Sequence, residues 1–268
     1  MSLDEKLQHL KSIIRGCESA VIAFSGGVDS SLVCAVAHEV LGERAVAVTA
    51  ISQTYPPGEV EWAKKAAEHI GIKHITIITN EFEDPNFVTN PPERCYYCKG
   101  ELLRKLDGVR KELGPKKIFD GTNFDDFSDY RPGLRAIREF GVVSPLAEAG
   151  LTKEEVRELA TKYGLPNSDK PANPCLASRV PFGQEISAQK LERIARGEEF
   201  IRSLGFRVVR VRDHGELARV EVSKEELPRA RELEREIVGT LKGFGYTSAI
   251  LDPRGYRMGG ANELSSSS

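Results

Sequence analysis

From residue 19 the chain repeats one figure over about 150 residues: a short unbroken apolar run, a turn, then a longer stretch whose apolar side chains recur every three to four positions. The runs "AVIAF", "AVAVTA", "HITIIT" and "KIFD" read as buried strands, with helices at about 30–41, 57–70, 95–113 and 152–163. Strict alternation of this kind predicts an α/β fold with a mostly parallel sheet and helices on both faces. Residues 164–186 have no period and are rich in Pro, Asn and Ser, the composition of a linker or functional loop. Beyond them a helix at about 187–203, strands "FRVVRVR" and "LARVEV", a helix at about 224–240 and a strand "YTSAIL" predict a small α+β domain. The expected organisation is therefore a domain over 1–168, a loop over 169–186, a second domain over 187–262 and a disordered tail over 263–268.

Composition narrows the class. At 268 residues and 40% hydrophobic, the chain can bury one large or two modest cores without staples. A formal charge of −2 provides no global field for nucleic acid or anionic membrane, so either partner would need a local patch. No apolar run approaches the roughly 20 residues that span a bilayer. "MSLDEKLQHLKSIIRG" reads as an amphipathic helix rather than a signal peptide, and a cytoplasmic protein is expected. In that compartment five cysteines point to catalysis or metal binding rather than to disulfides.

The densest motif is "VIAFSGGVDSSLVCAVA" at 21–37. A strand, a tight Ser25-Gly26-Gly27 turn and a helix opening near Ser30 aim backbone N–H groups and a helix dipole at one point, where an anion can sit. The hydroxyls of Ser25, Ser30 and Ser31 add donors, and polyphosphate is the natural guest. Asp29 either meets Mg²⁺ or is a helix-start acid. After the fourth strand, Asp120, Asp125, Asp126 and Asp129 lie at the sheet's carboxyl end, where α/β folds bind ligands. Each serves in a polar turn, or the cluster holds a metal.

Cys17 and Cys34 sit in apolar helical contexts and read as inert. Cys95 and Cys98 form a CxxC, and Cys175 lies in the Pro/Asn loop. A redox pair, structural zinc and an iron–sulfur site all remain open on spacing alone, although three thiols without an evident fourth ligand suit a [4Fe–4S] cluster with one exchangeable iron. In "FRVVRVR", Arg210 and Arg212 share a face and make either a phosphate clamp or a solvated strand face. Glu198 and Glu221 read as surface acids.

The SGGxDS loop resembles that of the PP-loop ATP pyrophosphatases. Together with "GTNFDDFSDYRPGLRA", "PCLASRVPFG" and "SLGFRVVRVRDHGELARVEV" it resembles the LarE family over nearly the whole chain. The resemblance implies an adenine nucleotide alpha hydrolase-like domain with a smaller α+β C-terminal domain. It implies an ATP-dependent sulfurtransferase that adenylylates a carboxylate of pyridinium-3,5-biscarboxylic acid mononucleotide and forms the thiocarboxylate for nickel-pincer cofactor biosynthesis and lactate racemase maturation. ATP with Mg²⁺ would be held by Ser25, Gly26, Gly27, Asp29, Ser30 and Ser31, with Asp125 and Asp126 toward the metal. The substrate phosphate would be held by Ser178, Arg179, Arg210 and Arg212. Cys95, Cys98 and Cys175 would ligate a [4Fe–4S] cluster reloaded from a sulfide source, and a homo-oligomer is expected. Two alternatives remain: sacrifice of Cys175 as the sulfur donor, and a tRNA thiolase, the latter because residues 174–212 carry eight Lys/Arg against four Asp/Glu.

Overall fold

The computed structural model describes residues 1–128, 131–257 and 260–261. Asp129 and the tail at 262–268 lie outside them. The chain folds into two compact units: residues 1–52, 58–81 and 93–172, and residues 53–57, 82–92 and 173 onward. Two short stretches of the first 168 residues thus fall with the second unit.

In chain order the elements are α1 (Leu3–Gly16), β1 (Ala20–Ala23), α2 (Val28–Leu41), β2 (Ala45–Ile51), α3 (Glu59–Ile70), β3 (Lys73–Ile78), the single turn α4 (Pro85–Val88), α5 (Arg94–Leu113), β4 (Lys117–Phe119), α6 (Gly133–Glu139), α7 (Pro145–Glu148) and α8 (Lys153–Lys162). All but α4 build the first unit. Its sheet is wholly parallel in the order β3-β2-β1-β4, so β1 is central and its carboxyl end meets the loop that follows β4. Helix α2 is apolar nearly all round and buried along most of its length, as befits a helix enclosed on every side. Helices α1 and α8 each open with a capping box, Ser2 with Glu5 and Thr152 with Glu155. Lys6 of α1 joins them, reaching Glu155 and the Gly150 carbonyl at 2.7 Å each.

The second unit adds α9 (Ala188–Ser203), the antiparallel hairpin β5 (Val209–His214) and β6 (Leu217–Val222), α10 (Leu227–Glu232), α11 (Glu234–Gly243), and β7 (Ser248–Leu251), parallel to β6. Alternation along β5 and β6 sends Val209, Val211, Val220 and Val222 into a core with Ile201 and Phe206. It leaves Arg210, Arg212, Arg219 and Glu221 on the opposite face. The single helix expected over 224–240 is divided: Leu233, at φ −96° and ψ 6°, interrupts it, and Ala230 and Ile237 on either side both reach the core. Cys34 is buried in α2, where burial drives its thiol well above the ordinary range. Among the described residues, no helix is long and apolar enough to cross a membrane.

At Gly121, just past β4, a Cβ would lie 2.8 Å from the Ser30 nitrogen and 3.1 Å from its Cα, so the β4 loop and the start of α2 touch backbone to backbone. Gly121→Ala is expected to cost about 1–3 kcal/mol as the two segments are forced apart. Urea denaturation checks this, and an unchanged midpoint would show that the contact yields freely.

Candidate active site

Strand β1 delivers its last residues into a turn that only glycine can make. Gly26 has φ +71°, and a Cβ there would stand 3.0 Å from both the nitrogen and the Cα of Ala63 in α3. Gly27 is the N-cap of α2 and brings no side chain to its first turn. Around it the Ser25 and Ser30 hydroxyls lie 3.1 Å apart, Ser30 donates to the Gly27 carbonyl at 3.1 Å, and the Gly27 N–H points to Ser25 Oγ at 3.3 Å. These contacts are long for hydroxyl and amide hydrogen bonds, so an anion's oxygens can replace them at little cost. Ser31 faces the other way. Its hydroxyl is fully buried and accepts from Asn167 Nδ2 at 2.8 Å.

The acids gather at the same end of the sheet. Asp29 pairs with the Lys153 ammonium and accepts from Asn123 Nδ2 at 3.1 Å. Asp125 accepts the Lys153 backbone N–H at 2.7 Å. Asp126 accepts from the Asn123 N–H at 3.0 Å and pairs with Arg131 at 2.6 Å. Burial raises the Asp126 carboxyl above its usual range, the Arg131 charge opposing this. Asp120 is 2% exposed and holds the loop from within, accepting from Thr122 Oγ1 at 2.6 Å and Ser144 Oγ at 2.7 Å. Among the described residues, no three His, Cys, Asp or Glu side chains are placed to hold a metal ion. Sequence reasoning missed Asn123 and Lys153. Lys153 could have been noticed as a cation in a helix's first turn, against the preference of the dipole.

Cys95 and Cys98 stand on one face of the first turn of α5, the former exposed and the latter half-buried. The Arg94 guanidinium lies 3.9 Å from the Cys95 sulfur. Helix α6 steadies this turn: Tyr96 donates to Glu139 at 2.7 Å, and Arg135 stacks 3.6 Å from the Tyr96 ring centroid.

In the second unit Cys175 begins a short turn whose backbone is organised by Arg179. That guanidinium is fully buried and donates to the carbonyls of Pro174 (2.6 Å) and Cys175 (3.1 Å), to Ser178 Oγ (3.0 Å), and bidentately to Glu198 at 2.7 and 2.9 Å. Glu198 and Glu221 are not surface acids. Both are 0% exposed, because each is the counter-ion of arginines that reach it: Glu198 for the buried Arg179 and the half-buried Arg202, Glu221 for the buried Arg212 and Arg219. Nor is the Arg210/Arg212 face solvated, since both are 4% exposed. Arg212 also donates to the Ser178 carbonyl at 3.2 Å, so Ser178, Arg179 and Arg212 are joined. Arg210 donates to the Val209 carbonyl at 2.7 Å and lies 5.1 Å from the Tyr256 ring centroid. Burial, with Arg179 close by, pulls its pKa down to about 10.

Burial alone would raise Glu198, but the Arg179, Arg202 and Arg210 charges outweigh it and hold the carboxyl below its ordinary value. A depressed carboxylate contributes stability above its unfolded pKa of about 4.3. Glu198→Gln is therefore expected to lose about 3 kcal/mol of stability between pH 5 and 8, a gap that closes as pH falls below about 4. Urea titrations of both proteins across pH check this; a gap independent of pH down to acid would contradict it.

Residues 14–91 match the asparagine synthase family. An uncharacterized protein of Synechocystis sp. is 45% identical over 264 residues, 98% of each chain. The pyridinium-3,5-bisthiocarboxylic acid mononucleotide synthase of Lactiplantibacillus plantarum is 32% identical over 263 residues, 98% of this chain and 95% of that one. A glutamine-hydrolyzing GMP synthase of Archaeoglobus fulgidus has one polypeptide that is 28% identical over 194 residues, 68% of this chain and 63% of that one. With a glycine loop of the PP-loop type on a parallel sheet and a likeness to the bisthiocarboxylic acid mononucleotide synthase that runs from end to end, the chain belongs to the LarE family of ATP-dependent sulfurtransferases.

Proposed function

We propose that the protein adenylylates a carboxylate of pyridinium-3,5-biscarboxylic acid mononucleotide and converts it to the thiocarboxylate. The observation that carries this reading is the open glycine turn at the start of α2, in a chain alike over 98% of its length to a synthase of the bisthiocarboxylic acid mononucleotide. Ser25, the Gly27 N–H and Ser30 receive the pyrophosphate end of ATP, and Asp29, Asp125 or Asp126 would meet its Mg²⁺ singly, since no three such side chains converge among the described residues. A carboxylate oxygen of the substrate attacks the α-phosphorus, the bond from that phosphorus to the bridging oxygen breaks, and pyrophosphate leaves. Sulfide then attacks the acyl carbon and AMP departs with the carboxylate oxygen. The substrate's phosphate belongs with Ser178, Arg179, Arg210 and Arg212, where a dianion would offset the depressed Arg210 cation.

For the sulfur source, this reading assigns a [4Fe–4S] cluster to Cys95, Cys98 and Cys175 on the chemistry of three cysteines outside any disulfide, two of them on one helix face. Such a cluster supplies an exchangeable sulfide on an iron without a protein ligand. The stretch 82–92, which precedes the CxxC in sequence, folds with the Cys175 segment. Asn90 donates to the Pro181 carbonyl at 2.7 Å and accepts from the Gly183 N–H at 2.9 Å. The RNA alternative loses ground: of the eight basic residues over 174–212, Arg179, Arg210 and Arg212 are buried and Arg193 is clamped to Asp213.

Iron and acid-labile sulfide measured on oxygen-free protein, wild type beside Cys95→Ala, with intact mass before and after turnover, test this source. About four irons per chain, lost in the variant, and an unchanged polypeptide mass are expected. Iron-free active protein whose Cys175 loses the mass of hydrogen sulfide would replace the cluster with a sacrificial cysteine.

A further inference from the structure

We infer that Asn167 is a positioning residue for polyphosphate binding, acting through the glycine turn from behind. The inference rests on the reading of that turn as the pyrophosphate site, and assigns it a part that lies well outside the motif. Asn167 is 1% exposed. Its Nδ2 donates to the Gly26 carbonyl at 2.8 Å and to Ser31 Oγ at 2.8 Å, so one amide bridges the turn and the first turn of α2.

The geometry gives this contact a specific effect. The Gly26 carbonyl and the Gly27 N–H belong to one trans peptide and point in opposite directions. By holding the oxygen at the back, Asn167 turns the Gly27 N–H to the side of Ser25 Oγ, where it lies at 3.3 Å. Glycine on both sides of that peptide makes its rotation inexpensive, so without a restraint the N–H would spend part of its time facing away from an anion. Ser31, its hydroxyl buried against Asn167, belongs to the same restraint.

Asn167 is itself well placed to be rigid. Gly164, at φ +67°, ends α8 and turns the chain, and Leu165 is buried in the core. Arg157 then holds the carbonyls of Ser168 at 2.6 Å and Lys170 at 3.2 Å, and Lys170 pairs with Glu59 at 2.7 Å. The side chain is present for its donors alone, because the buried Oδ1 has no hydrogen-bond partner among the described residues. Aspartate has the same shape but brings no donor and sets a negative charge against the Gly26 carbonyl, behind the anion's seat.

Calorimetric titration of the full chain with Mg–ATP, pyrophosphate and AMP, for wild type, Asn167→Ala, Asn167→Asp and Ser31→Ala, tests the assignment. Asn167→Ala is expected to weaken ATP and pyrophosphate about tenfold, for two lost hydrogen bonds, and to leave AMP unchanged. Asn167→Asp is expected to weaken the same two ligands further still, again sparing AMP. ATP and pyrophosphate affinities equal to wild type, or an equal loss for AMP, would overturn the inference. Should neither Asn167 variant fold, Ser31→Ala decides it: a several-fold loss confined to ATP and pyrophosphate supports the restraint, and no loss refutes it. A wild-type protein that binds no pyrophosphate would instead refute the reading of the glycine turn on which the restraint depends.

Discussion

Backbone N–H groups without a side-chain cap at the start of a buried helix are the resource around which the first unit is organised. Helix α2 needs polar partners at its first turn, and the sequence places glycine there rather than a side chain that would satisfy them locally. Several features follow from keeping that end open. Gly26 must be glycine because α3 passes 3.0 Å from where its Cβ would stand, and Gly121 because the β4 loop touches Ser30. Asp29 is carried by the helix itself and neutralised by Lys153, so the approach to the N–H groups is not guarded by an uncompensated negative charge.

A different constraint governs the second unit. Its three-stranded sheet has one apolar face and one that carries arginines, and a buried guanidinium is tolerated only with its donors used and its charge balanced. Arg179 meets both conditions through Glu198 and the backbone of the Cys175 turn, so the ion pair shapes the loop that presents the thiol. Arg210 donates to a backbone carbonyl and lies by an aromatic ring, and burial draws its pKa down to about 10.

Much of this was legible in the residues. The four parallel strands, the start of α5 at the CxxC and the amphipathic α1 follow from period and capping, because local patterns determine local elements. The motif SGGVDS also announced its own geometry, since glycine and hydroxyl at that spacing have few other uses. Burial of charge was not legible. Glu198 and Glu221 look like surface acids because their partners Arg179 and Arg212 are 19 and 9 residues away, and only the fold brings them together. Asn167 was hidden for the same reason, 141 residues from the carbonyl it holds. The single helix expected over 224–240 failed more locally, at Leu233, where both halves turn to keep their apolar faces on one core.

The central claim is that a substrate carboxylate, rather than water or another phosphate, attacks the α-phosphorus of ATP. Its most direct test is to supply the pyridinium dicarboxylate mononucleotide with ¹⁸O in its carboxylates, add ATP, Mg²⁺ and a sulfide source, and read the isotopic mass of the AMP. One ¹⁸O in the phosphate of AMP, formed in step with pyrophosphate and thiocarboxylate, is the predicted result, because the attacking oxygen leaves with AMP when sulfur takes its place. AMP free of the label, or ADP as the nucleotide product, would contradict it.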